Sequence, residues 1–124
     1  MILVLVVNNQ KTFIGTVKGG EYLDTKEIFF EPAKRPDLFL EVTKMVNPKE
    51  LEGIIVYSGP GPFTGLRVAV SIANALSFAL DLPIAGIKGI SDPSELLKEG
   101  LKKLKDDSKT PILPFYDREP NINI

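Results

Sequence analysis

Cysteine and histidine are both missing from the 124 residues of this chain. Without cysteine there is no disulfide framework and no thiolate metal site. Without histidine, zinc chemistry and the commonest general base are excluded as well. Any acid–base catalysis would fall to Asp, Glu, Lys or Tyr, and no carboxylate pair stands at motif-like spacing. Charge of one sign is also lacking. Fifteen Lys+Arg against 16 Asp+Glu leave a net charge of −1, so the chain has no electrostatic footprint for gripping nucleic acid by itself. Long hydrophobic runs are few. The opening run, residues 1–7, has no basic segment before it and no small-residue cleavage site after it, and Asn8-Asn-Gln-Lys11 ends it. It reads as a buried strand rather than a leader. No other stretch reads as long or apolar enough to cross a bilayer, and the expected location is cytoplasmic.

What is present is an ordinary globular composition, 44% apolar and 25% charged, in a length that fits one domain with a real core. Apolar runs at residues 2–7, 12–17 and 22–30, separated by polar or Gly-Gly turns, predict an antiparallel meander. Residues 31–36, with prolines at 32 and 36, break that pattern. Residues 37–46 then place Leu38, Val42, Met45 and Val46 at helical spacing behind Asp37, an acidic start that favours a helix. A strand at 53–57, a long alanine-rich helix to about Leu80 and a short strand at 84–87 follow. The last helix opens at Ser91-Asp-Pro-Ser94, with Pro93 near its first position. An apolar segment at 110–116 and a polar tail complete the chain. The order β-β-β-α-β-α-β-α predicts an α/β fold: a mixed five-stranded sheet, antiparallel first and then extended through crossover helices. That is the layout of one actin-like (ASKHA, ribonuclease H-like) lobe. It is expected to occupy residues 1–108, leaving 109–124 as a C-terminal segment without a complete second lobe.

Between the fourth strand and the long helix lies Gly59-Pro-Gly-Pro-Phe-Thr-Gly-Leu-Arg67. Its glycines relax steric limits, whereas Pro60 and Pro62 fix φ and remove donors. A phosphate cradle of the Walker type needs Gly-Lys-Ser/Thr at its end, but Gly65 is followed by Leu66. The dinucleotide fingerprint needs an acidic end to the next strand, and Gly86-Ile-Lys88 has the wrong charge. A nucleotide-binding domain using the turn from Gly59 to Gly65 is the alternative reading. Tyr57 and Ser58 precede the turn without forming a Gly-x-Ser-x-Gly elbow, so no catalytic residue, metal ligand or cofactor is assigned. The helix after the turn is apolar or small around most of its circumference. It therefore has more face than its own sheet covers, and a protein partner is expected there.

The turn is similar to the Gly-Pro-Gly-Ser-Phe-Thr-Gly-Leu-Arg signature of the TsaB family (also called YeaZ), the accessory proteins of bacterial threonylcarbamoyladenosine synthesis in tRNA. The resemblance extends over roughly residues 1–105. It implies an actin-like lobe that is not itself catalytic and that packs on a catalytic paralogue, TsaD, or self-associates as a dimer. TsaE, an ATPase, would join the complex, and tRNA would be met only indirectly. On this chain the implied partner face is Leu38, Val42, Met45, Arg67, Val68, Ser71, Ile72, Ala75 and Phe78. The signature turn is Gly59, Pro60, Gly61, Pro62, Phe63, Thr64 and Gly65. Departures are present. Val6, Val7 and Asn8 stand where the family has Asp-Thr-Ser, Pro62 replaces a serine, and a histidine before the first helix is missing. The segment Ile112-Leu-Pro-Phe-Tyr-Asp-Arg-Glu119 matches the start of the family's second lobe. Alternatively, Phe115-Tyr-Asp-Arg-Glu-Pro-Asn-Ile122 matches its C-terminal segment.

Overall fold

Six branched or leucine residues in a row make β1 (Ile2–Val7), and from its second residue on every side chain is buried. A strand covered on both faces has no polar alternation to show. The computed structural model describes residues 1–29 and 37–116. The break expected at 31–36 and the polar tail, with its match to the family's C-terminal segment, lie outside the described residues. Asn8 turns the chain by accepting from the backbone N–H of Gln10 and Lys11 at 2.8 and 2.9 Å, an Asx turn. β2 (Lys11–Lys18) follows, then Gly19 and Gly20, both at positive φ (65° and 81°), lead into β3 (Glu21–Phe29). The meander pairs antiparallel, Ile2 against Val17 and Lys11 against Phe29. β3 is the sheet edge, and its Glu21, Asp24, Lys26 and Glu27 are exposed, the charge pattern by which edges resist pairing with other chains.

Asp37 caps α1 (Leu38–Met45) by accepting from the Leu40 N–H. β4 (Gly53–Gly59) then enters beside β1 in parallel, α2 (Phe63–Leu80) crosses over, and β5 (Ile84–Lys88) adds in parallel to β4. Asp92 caps α3 (Pro93–Leu104) through the Glu95 N–H, with Pro93 in the first turn. The sheet order is β3-β2-β1-β4-β5, so the expected mixed five-stranded sheet is the observed one.

All seven residues of β4 are buried, so both faces of that strand are covered. α3 covers the face of Gly53 and Ile55, with Leu104 against the first and Gly100 against the second. α2 lies against β1 and β4 on the other face and touches α1. On the α3 side Tyr22 stands edge-on to Phe13 at 5.5 Å and donates its hydroxyl to the Pro93 carbonyl at 2.7 Å, tying the meander to the last helix. Burial, helped by the nearby Asp92 carboxylate, pushes the Tyr22 phenol well above its ordinary range. It therefore stays a neutral donor across physiological pH. On the opposite face Lys26 of β3 pairs with Glu41 of α1 and holds that carboxyl below the usual range.

α2 corrects the expectation that no segment after the opening run could cross a membrane. Its 18 residues are long and apolar enough by length and composition, yet Leu66, Ala69, Val70, Ala73 and Leu76 are buried against the sheet. A core helix meets the same compositional test as a membrane span.

Gly100 sets how closely α3 approaches the sheet. A Cβ there would meet the Ile55 side chain at 2.5 Å, and Ile55 is itself fully buried. Gly100→Ala gains about 1 kcal/mol of helix propensity. Against it stands overpacking of about 1–3 kcal/mol, so a net loss of up to about 2 kcal/mol is expected in denaturant titration. Adding Ile55→Ala makes room, and the double variant is expected to recover part of what the two single changes lose together.

Candidate functional site

Gly59 ends β4 at φ 122°, followed by a cis bond to Pro60. The Tyr57 hydroxyl donates to the Pro60 carbonyl, and the Gly89 N–H donates to the Gly59 carbonyl at 2.7 Å. Gly61 is buried, with the Val7 carbonyl and the Leu66 methyls around its α-carbon. Pro62 is the N-cap of α2 and offers no side-chain cap, so the helix opens directly on the carbonyl of Pro62, which accepts from Leu66 at 3.0 Å. Of the signature residues, Pro60, Phe63 and Thr64 are exposed, and Pro62 and Gly65 are half-buried.

The turn is not an open cradle. A Cβ on Gly59 would overlap the carbonyl of Phe115, whose N–H donates to Ser58 at 2.7 Å. Tyr116 forms a parallel bridge with Gly61 and sets its ring 4.5 Å from that of Phe63. Lys88 lies over the Phe115 ring at 4.0 Å. The space a phosphate would need above Gly59 is thus filled by the chain's own backbone. A cavity of about 180 Å³, lined by residues that include Phe78, Asp81 and Lys109, opens near the other end of α2. That is below the roughly 300–1,000 Å³ of small-molecule sites. No group of three or more potential metal ligands gathers among the described residues.

The outer face of α2 is different. Thr64, Arg67 or Val68, Ser71, Ala75 and Phe78 follow at three- and four-residue spacing, and all six are exposed. Phe78 is 92% exposed and Val68 42%, two large apolar side chains on a face that also carries Thr64, Arg67 and Ser71. Ile72 is half-buried and packs on the core. The partner-face residues Arg67, Val68, Ser71, Ala75 and Phe78 are therefore brought together on one accessible stripe.

Helix α1 requires a correction. Leu38 and Val42 are buried against the lobe's own core and Met45 packs at its margin, so the first two present nothing to a partner. Phe39 and Leu40, 49% and 48% exposed, take the outward positions that the sequence reading gave to Leu38 and Val42. The physical reason is that a regular apolar stripe on a short helix is the stripe that faces the core. The apolar residues left off it were the signal for the outer face. Phe63 was read as part of the turn, and its exposed ring beside the α2 stripe was likewise missed as surface.

Comparison with known proteins finds relatives named for threonylcarbamoyladenosine biosynthesis in tRNA. Residues 40–92 match the family model TsaD, tRNA N6-adenosine threonylcarbamoyltransferase. The threonylcarbamoyladenosine biosynthesis protein TsaB of Bacillus subtilis (strain 168) is 40% identical over 43 residues, covering 35% of this chain and 19% of that protein. A probable bifunctional tRNA threonylcarbamoyladenosine biosynthesis protein of Methanocaldococcus jannaschii is 32% identical over 94 residues, covering 63% and 18%. Among solved structures, YeaZ from Pseudomonas aeruginosa superposes with a TM-score of 0.61 at 23% identity, covering 70% of this chain and 43% of that one. The fold is thus the actin-like lobe expected from the element order. The matched part of this chain spans about a fifth of these curated relatives and less than half of the solved YeaZ chain.

Proposed function

For a chain that belongs to the TsaB (YeaZ) family, we propose the role of a non-catalytic accessory subunit in threonylcarbamoyladenosine modification of tRNA. It would bind a TsaD-type catalytic paralogue, or a second copy of itself, through the outer face of α2 and the adjoining Phe39 and Leu40. A TsaE-type ATPase would join the same complex, tRNA would be reached only indirectly, and the setting is cytoplasmic. Residues 1–108 would act as the actin-like lobe, with 109–124 as its C-terminal segment. The observation that carries the reading is the exposed stripe ending in Phe78, on a helix whose other face is already used by the sheet.

Ala75 sits next to Phe78 on the stripe and is exposed, so Ala75→Arg places a bulky charge in the contact without touching the core. Its thermal stability is expected to stay within about 0.5 kcal/mol of the parent. Association, measured by light scattering alone and by titration with the TsaD-type protein of the same organism, is expected to weaken by about 100-fold or more, the scale of a central interface residue. Unchanged association, or a parent chain that stays monomeric with and without that partner, removes the reading. The nucleotide-binding alternative has the Phe115 carbonyl against it. Thermal stabilisation by ATP with magnesium would restore it.

A further inference from the structure

After α3 the chain does not leave the lobe. Ser108 accepts from the Ile84 N–H at 2.9 Å, and the segment then runs beside β5 and α2 to the glycine turn. Halfway along, Asn74 of α2 brackets Ile112 with its side-chain amide. It donates to the Ile112 carbonyl at 2.9 Å and accepts from the Ile112 N–H at 2.8 Å. The Ile112 side chain lies so close over Gly86 that a Cβ there would meet it at 2.7 Å. At the far end Phe115 and Tyr116 settle on Ser58, Gly61 and Phe63.

Despite these specific attachments, no residue from 108 to 116 is fully buried: Ile112 and Tyr116 pack half-buried on the core, and Leu113 is 73% exposed. A segment with specific hydrogen bonds but little buried apolar area belongs to the low end of local stability. We propose that residues 108–116 form a latch, clipped to α2 by Asn74, that opens as a unit while the sheet stays folded and so gates the N-terminal end of α2. Closed, Tyr116 covers part of Phe63 and Phe115 covers the turn. Open, Phe63 is freed to join the exposed stripe that begins beside it at Thr64. The gating half of this proposal rests on the partner reading above, whereas the opening itself does not.

Native-state amide exchange on the full chain tests the opening without any partner. In the parent, the Ile112 and Phe115 amides are expected to exchange through a smaller opening free energy than those of Leu5 and Ile55. Asn74→Ala removes both bonds to Ile112 and is expected to speed exchange at Ile112 and Phe115 by on the order of tenfold or more, with Leu5 and Ile55 unchanged. Gly86→Val, which pushes Ile112 out of its groove, is expected to do the same and serves if the first variant folds poorly. Equal acceleration at all four amides, or none at Ile112 and Phe115, overturns the latch. Titration of Asn74→Ala with the TsaD-type protein reads the gating, with tighter binding expected. Unchanged affinity alongside accelerated latch exchange overturns the gating, while a parent that binds nothing but shows the latch exchange overturns only the partner reading.

Discussion

Gly59→Ala is expected to lower the unfolding free energy by about 2–4 kcal/mol, a large part of the margin of a domain this size. Two costs combine at this position. The backbone stands at φ 122°, a region that L side chains rarely adopt. The added Cβ would also overlap the Phe115 carbonyl, a backbone atom that cannot rotate away as a side chain can. Either the turn distorts or residues 110–116 lift off. Gly20→Ala separates the two costs, because Gly20 has φ 81° but nothing within 4 Å of its Cβ position. That change is expected to cost about 1 kcal/mol, from conformation alone. Urea titrations of both variants check the pair. Equal losses would mean that the segment beyond α3 adds nothing at Gly59.

Leu66→Ala is expected to cost about 2–5 kcal/mol, the range for truncating a fully buried leucine. Leu66 is 0% exposed in the first turn of α2, and its methyls close on Gly61, so the cavity would open where turn, helix and sheet meet. Two residues later, Val68 is 42% exposed, and Val68→Ala is expected to change stability by less than about 0.5 kcal/mol. The same truncation at Val68 is expected to weaken association instead. Thermal melts of the two variants, with the association assay on each, assign the two faces of α2 by experiment. A large stability loss at Val68 or a small one at Leu66 would rotate the helix away from the orientation described.

Much of this architecture was legible because its causes are local. Branched residues filled β1, Gly19 and Gly20 marked a turn, and Asp37 and Asp92 stood where helix caps stand. The strand–glycine turn–helix junction was legible for the same reason, and its missing lysine and two prolines already argued against a phosphate loop. For the α2 face the apolar surplus was readable from periodicity. For α1 it was not read correctly, because spacing shows that a stripe exists and not which neighbour covers it. There the lobe's own core took Leu38 and Val42 and left Phe39 and Leu40 outside.

The sequence by itself determined the strand and helix order, the parallel addition of β4 and β5 and the family signature in the turn. These rest on short-range preferences and on the right-handed crossover rule. Only the tertiary structure decided what fills the space above Gly59. Phe115 is far from Gly59 in the chain and carries no mark of the contact, since a backbone carbonyl docking on a glycine leaves no side-chain pattern to read. The same holds for Asn74 and Ile112 and for Tyr22 and Pro93. In each pair a side chain bonds to a main-chain group that every residue possesses, so the choice of partner is fixed by packing and not by residue type.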